Sequence, residues 1–151
     1  MTTKKKTKGR SRRGALADDA CPSCGSQMKE ARGKLRVPVN GEEIVVPGAG
    51  HLKCSKCKEV VLRAIDARRL GEDAVAIYRK KHRLLSSEEV RALREIHDLT
   101  QADLARLLRL GANTISRWEA GRNVQTGAMD VLLRLIRDVP GSLDFLRELA
   151  A

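Results

Sequence analysis

Hydrophobic and polar positions recur with two different periods along the 151-residue chain. In "LRVPVNGEEIVVPG", residues 35–48, apolar runs lie on either side of Asn40-Gly41, a dipeptide that tolerates the positive φ angles of a tight hairpin turn. Pro47-Gly48 is expected to close the second strand. Pro38 has no N–H to give to a ladder, so its strand is expected at a sheet edge.

From residue 66 the spacing becomes helical. "DARRLGEDAVAIYRKKHR", residues 66–83, puts Leu70, Ala74, Ile77 and Lys81 on one stripe, with Gly71 as its weak point, and predicts a connecting helix within 66–85. Ser86, with Glu89 three residues on, has the form of a capping box opening a helix that carries Val90, Leu93 and Ile96. Thr100 is placed to cap a helix from Gln101 to about Leu108, with Asp103 in its first turn and Leu104, Ala105 and Leu108 as its buried side. A turn through Leu110 and Gly111 leads to a second helix, Ala112 to about Glu119, with Ile115 and Trp118 facing the first. The small Ala105 permits the close crossing that a helix-turn-helix requires. "TGAMDVLLRLIRDVP" predicts a further helix ended by Pro140-Gly141, and "SLDFLREL" a last one capped by Ser142. Leu132, Leu135, Ile136, Leu143, Phe145, Leu146 and Leu149 are more apolar residues than one small core uses, so a homodimer is expected.

Composition sharpens this outline. With one Trp, one Tyr and one Phe, the core must be aliphatic, which suits packed helices better than a large sandwich. No apolar run reaches the roughly 18 residues a membrane helix needs, and the basic N-terminus has no signal-peptide core; a soluble cytoplasmic protein is expected. The formal net charge is +11, unevenly spread: residues 1–14 hold seven cations and no acid, whereas residues 86–151 hold nine Arg, ten acids and no Lys. Residues 1–17 therefore read as a disordered basic tail, serving either solubility or salt-sensitive phosphate contact. Any nucleic-acid face in the C-terminal part must be a local arginine cluster.

The four cysteines form two C-x-x-C pairs, Cys21/Cys24 and Cys54/Cys57, separated by 29 residues. Each two-residue spacer lets both sulfurs reach one ion, and two pairs complete a tetrahedron of thiolates around structural Zn²⁺. Disulfides or redox-active pairs are the alternative, disfavoured by an intracellular setting. Gly25 suits the turn after the first pair; Lys58 stands at the matching place in the second. His51 would be a fifth ligand and reads as an ordinary surface or hairpin residue. A closed four-sulfur site, with no phosphate-binding glycine loop or nucleophile–base pair, argues against an enzyme.

With Ile115 and Trp118 turned inward, Asn113, Thr114, Ser116 and Arg117 face outward. Asn113 and Arg117 are four apart, one above the other. Asn pairs bidentately with adenine and Arg with guanine in the major groove of double-stranded DNA. Gln101, Arg106, Arg109 and Arg122 are placed to meet the phosphate backbone. A helical bundle with a solvated polar face is the bland alternative. A dimer would read a palindromic operator with half-sites about 34–36 Å apart.

The order "CPSCG", hairpin, "CSKC", connecting helix, "LTQADLARLL" and "NTISRWEAG" resembles the MqsA-type (YgiT-type) zinc finger/helix-turn-helix antitoxins over residues 20–139, the last two motifs being of the Xre/Cro type. The resemblance implies an autoregulating repressor whose N-terminal module binds zinc and an mRNA-cleaving toxin, while residues matching Asn113 and Arg117 read bases. Arg109 stands where such motifs usually have Gly, so a displaced turn is expected. A stand-alone regulator with no toxin, or an RNA-binding protein, are the other readings. The expected fold class is α+β: a four-cysteine zinc-binding β-hairpin module over residues 18–65, a connecting helix over 66–85 and an all-α helix-turn-helix and dimerisation domain over 86–151.

Overall fold

A computed structural model of the chain describes residues 20–150. It is α+β: a three-stranded antiparallel sheet is followed by six helices. The basic tail expected over residues 1–17 lies outside the described residues.

Strands β1 (Met28–Val39) and β2 (Glu42–Cys54) form the hairpin, and β3 (Val60–Val61) adds to the far side of β2. Asn40 and Gly41 both take positive φ, 48° and 82°, the twist that matches a two-residue turn to right-handed strands. Strand β1 is an edge strand, as Pro38 requires. Pro47-Gly48 does not close β2, which continues to Cys54. Instead the register slips between Gly33 and Leu35, whose partners are Ala49 and Val46; Pro47 and Gly48 form a bulge. The extra residue shifts the inward phase, so Ile44 and Val46 are buried before it and Ala49 after it.

Helix α1 (Ala64–His82) packs on this sheet, with Leu70, Ala74 and Val75 buried against Val39, Ile44, Val46 and Ala49. The expected stripe ends differently: Lys81 is exposed, and Arg79 is the buried residue of the last turn. Helices α2 (Ser87–Ile96), α3 (Gln101–Leu107), α4 (Thr114–Glu119), α5 (Gly127–Asp138) and α6 (Ser142–Ala150) enclose a second core. Its fully buried members include Leu85, Val90, Leu104, Ile115 and Leu133. The capping boxes of Ser86 with Glu89 and of Thr100 with Asp103 are both formed. Ile96, expected on the inner stripe of α2, is 75% exposed. Ser142 does not cap α6; its hydroxyl donates to the carbonyls of Leu135 and Val139, at 2.9 and 2.8 Å, and so ties α6 to the end of α5. Among the described residues no helix is long and apolar enough to cross a membrane.

Candidate metal centre and nucleic-acid interface

The sheet brings the two cysteine pairs together. Met28 pairs with Cys54 at the base of the hairpin, and the segments flanking it fold into two similar turns. In the first, the Gly25 amide donates to the Cys21 carbonyl and the Cys21 amide to the Ser26 carbonyl, both at 2.8 Å. In the second, the Cys54 amide donates to the Glu59 carbonyl at 2.9 Å. Gly25 has φ 69° and Lys58, at the matching position, has φ 66°. Lys58 thus adopts the same left-handed conformation despite its Cβ, and its Nζ donates to the Ser55 carbonyl at 2.8 Å.

The four sulfurs lie within 4.8 Å of one another. Cys21 to Cys57 and Cys24 to Cys54 are each 3.5 Å, far beyond the roughly 2.05 Å of a disulfide bond. Metal–sulfur bonds of about 2.3 Å in a tetrahedron place sulfurs about 3.8 Å apart, so the arrangement fits one ion held by four thiolates. The thiols themselves call for a cation. Hydrogen bonds from the Ser26 hydroxyl and amide draw Cys24 down to about 6. Cys57 is lowered by the Glu59 amide, but the neighbouring cysteines and burial outweigh this and push it up to about 12. Four adjacent thiolates are stable only around a positive ion. The ion would supply folding energy rather than catalysis, because all four positions belong to the protein. His51 is outside the cluster: it is buried, with Nδ1 3.0 Å from the Ala49 carbonyl.

The second candidate surface is built by α3 and α4. Helix α3 ends in a Schellman cap: the Leu110 amide donates to the Ala105 carbonyl at 2.8 Å and the Arg109 amide to the Arg106 carbonyl at 3.0 Å. The turn is not displaced. Arg109 itself takes φ 54°, the conformation glycine takes elsewhere. Arg109→Gly is therefore expected to stabilise the fold by about 0.5–1 kcal/mol. A denaturant titration checks this, and a fall in the midpoint would contradict it.

Helix α4 starts at Thr114, two residues later than expected, with Asn113 as its N-cap residue and no side-chain cap bond. Ile115 and Trp118 are buried; Asn113 and Arg117 are exposed, and Thr114 and Ser116 half-buried. The Ser116 hydroxyl donates to the Asn113 carbonyl at 3.0 Å. Arg106, Arg109 and Arg122 are exposed. Arg106 pairs with Asp103 at 2.6 Å, and Arg109 lies 3.4 Å from the Leu149 carbonyl. Gln101 stands at the start of α3, where its amide nitrogen donates to Glu119 Oε2 at 2.8 Å.

That bond belongs to a buried network that the local sequence motifs do not predict. Arg94 grips Glu119 with two nitrogens, Nε to Oε1 at 2.7 Å and Nη2 to Oε2 at 3.1 Å, and Nη1 donates to the Leu99 carbonyl at 3.0 Å. Burial raises the Glu119 pKa, but the hydrogen bonds from Arg94 and Gln101 outweigh it and hold the carboxyl below its ordinary value. The network fastens the ends of α2, α3 and α4 together. Its legible signal was Glu119 itself, which continues the inward spacing of Ile115 and Trp118. A second polar cluster joins Asp130, which accepts from the Leu85 amide at 2.7 Å and from Gln125 at 3.1 Å, to Arg134 at 2.7 Å.

The family model for the antitoxin component of bacterial toxin–antitoxin systems, MqsA, matches residues 16–147. The chain belongs to the MqsA antitoxin family. It is also similar to Antitoxin HigA-2 of Vibrio cholerae serotype O1, 34% identical over 65 residues. That stretch is 43% of this chain and 62% of the relative, so the chain spans less than two thirds of that protein's length. Membership of the MqsA antitoxin family points to a regulatory role, and the four-cysteine cluster fits the metal site of such a protein.

Proposed function

We propose that this protein is the antitoxin of a type II toxin–antitoxin pair and a sequence-specific repressor of its own operon. In this reading residues 18–65 form a module holding structural Zn²⁺ and binding an mRNA-cleaving toxin. Residues 66–85 connect it to a helix-turn-helix and dimerisation domain over 86–151, and the protein works in the cytoplasm on double-stranded DNA. The observation that carries the DNA half is the division of α4: Ile115 and Trp118 lie in the core, while Asn113 and Arg117 stand free in solvent on the opposite side. Helix α3, with α2 behind it, supports α4 much as the first helix of such a pair braces the one entering the major groove.

Dimerisation is supported by apolar residues that the chain leaves uncovered. Val131 and Leu135 on α5 and Val139 just past its end are 59%, 45% and 46% exposed, and Phe145 and Leu149 stand four apart on α6. Ile136 and Leu143, expected to share in this face, are used in the protein's own core. A two-fold dimer through α5 and α6 would bury these uncovered residues and place two copies of α4 on a palindromic operator.

Asn113→Ala and Arg117→Ala test the reading. Each is expected to weaken binding to the DNA upstream of the protein's own gene by about 1–3 kcal/mol and to leave binding to random duplex nearly unchanged. Fluorescence anisotropy with both duplexes measures this. Equal losses on both would show that the two residues do not read bases.

A further inference from the structure

Arg79 is the one buried cation, among the described residues, that neither the metal centre nor the exposed face of α4 uses. It lies in the last turn of α1, 6% exposed, and its guanidinium leaves α1 for the helical domain. Nη1 donates to Ser87 Oγ at the start of α2. Nη2 donates to the Trp118 carbonyl at 3.0 Å, the Asn123 carbonyl at 3.2 Å and Gln125 Oε1 at 3.2 Å. Ser87 Oγ in turn donates to the Trp118 carbonyl at 2.8 Å. Trp118 lies in the last turn of α4 and Asn123 just beyond it, so a side chain of α1 closes the C-terminal end of α4.

Two features separate this from ordinary packing. Arg79 Nε is buried without a hydrogen-bond partner, a cost that an apolar side chain of similar length would avoid. The attachment is also doubled: Val124, one residue beyond Asn123, is buried in the core that α1 shares with the sheet, in one cluster with Val75 and Val46. A helix of six residues has little stability alone, so its direction is set by what holds its ends. The Gln101–Glu119–Arg94 network supports it from α2 and α3. Arg79 and Val124 tie the same C-terminal end to the helix on which the cysteine-bearing sheet rests.

We infer that Arg79 is a positioning residue for base reading: from α1 it fixes the C-terminal end of α4, and so the angle at which Asn113 and Arg117 are presented, to the cysteine module. This rests on the proposed DNA-reading role of α4. Movement of α1 relative to the helical core would move the reading helix with it, which gives the N-terminal module a mechanical route to the DNA face.

The test uses full-length protein with its metal. Wild-type protein first selects a duplex from a randomised pool, and the selected and an unselected duplex then serve as probes. Arg79→Met keeps the length and removes the fork, while the Trp118 carbonyl keeps its donors from Ser87 and Gly121. The ratio of affinities for the two duplexes is expected to fall about tenfold, within the usual range of coupling between sites, through weaker binding to the selected duplex alone. Amide exchange is expected to quicken over residues 116–123 and to stay unchanged in the cysteine turns. Arg79→Lys, which keeps the charge and loses the fork, should lose the same selectivity and serves if Arg79→Met does not fold. A folded variant with wild-type selectivity, or one weakened equally on both duplexes, would overturn the inference. A wild-type protein that enriches no sequence would remove the DNA-reading proposal itself.

Discussion

A strong chelator is expected to unfold the cysteine turns and the strand ends that join them, Ala20–Ala31 and His51–Val61, while α2 to α6 remain folded. The apolar core around the cysteines consists of Cys21, Met28, Leu52 and Cys54 with Val61 against it, too little surface to order two turns and three strand ends. A bound structural ion contributes about 10–16 kcal/mol on an apparent scale in small zinc modules. The distal half of the hairpin is different, because Ile44, Val46 and Ala49 lean on α1. The helical core around Leu93, Leu104, Ile115 and Leu133 shares nothing with the sulfurs. Amide spectra before and after chelation measure the outcome: signals from residues 20–31 and 51–61 should collapse to random-coil positions and those of Val90, Leu104 and Leu133 should hold. Unchanged signals in the cysteine turns, once metal analysis shows the ion gone, would contradict this account.

Glu119→Ala is the second large effect, with an expected loss of about 3–5 kcal/mol of stability. Its carboxylate is 2% exposed and the Arg94 side chain 14%, so the substitution leaves a guanidinium in the interior without its partner. Gln101 loses its acceptor as well, and the ends of α2, α3 and α4 are released together. The same pair gives a pH dependence. A carboxyl held below its ordinary pKa in the folded state contributes stability that is present above the unfolded value and is lost as the pH falls through the carboxylate range. Urea titrations of wild type and variant, at neutral pH and near pH 4, check both points. A loss below about 1 kcal/mol at neutral pH, the range of an exposed ion pair, would mean that the network is not a structural clamp.

The elements legible in the sequence were those specified locally. Asn40-Gly41, Ser86 with Glu89, and Thr100 with Asp103 each act within four residues, and each forms as the spacing predicts. The paired C-x-x-C turns were legible for the same reason. Local rules misplaced features whose outcome depends on distant partners. Pro47-Gly48 has the form of a strand end but becomes a bulge, because β1 continues opposite it down to the cysteines. Lys81 fits the helical stripe of α1, yet it stays exposed and pairs with Glu42 of β2, while Arg79 is the residue that turns inward to Ser87 and the end of α4. Ser142 has the form of a cap but finds the carbonyls of α5 instead. At Arg109 the absence of glycine suggested a shifted turn. The Schellman bonds and the packing of Leu110 against the helical core hold the turn in place, and Arg109 accepts the left-handed conformation. The exposed positions of α4 followed from the inward spacing of Ile115 and Trp118. The networks behind α4 did not, since Arg94, Gln101 and Glu119 are brought together only by the crossing of three helices.

The most direct test of the antitoxin reading is a growth assay with the gene adjacent to this one in its own genome. Induced alone, that gene is expected to arrest growth, and co-expression of this chain should restore it, whereas a chain with Cys54→Ser and Cys57→Ser should not. A neighbouring product that is harmless alone, or whose toxicity persists when this chain is present, would contradict the account.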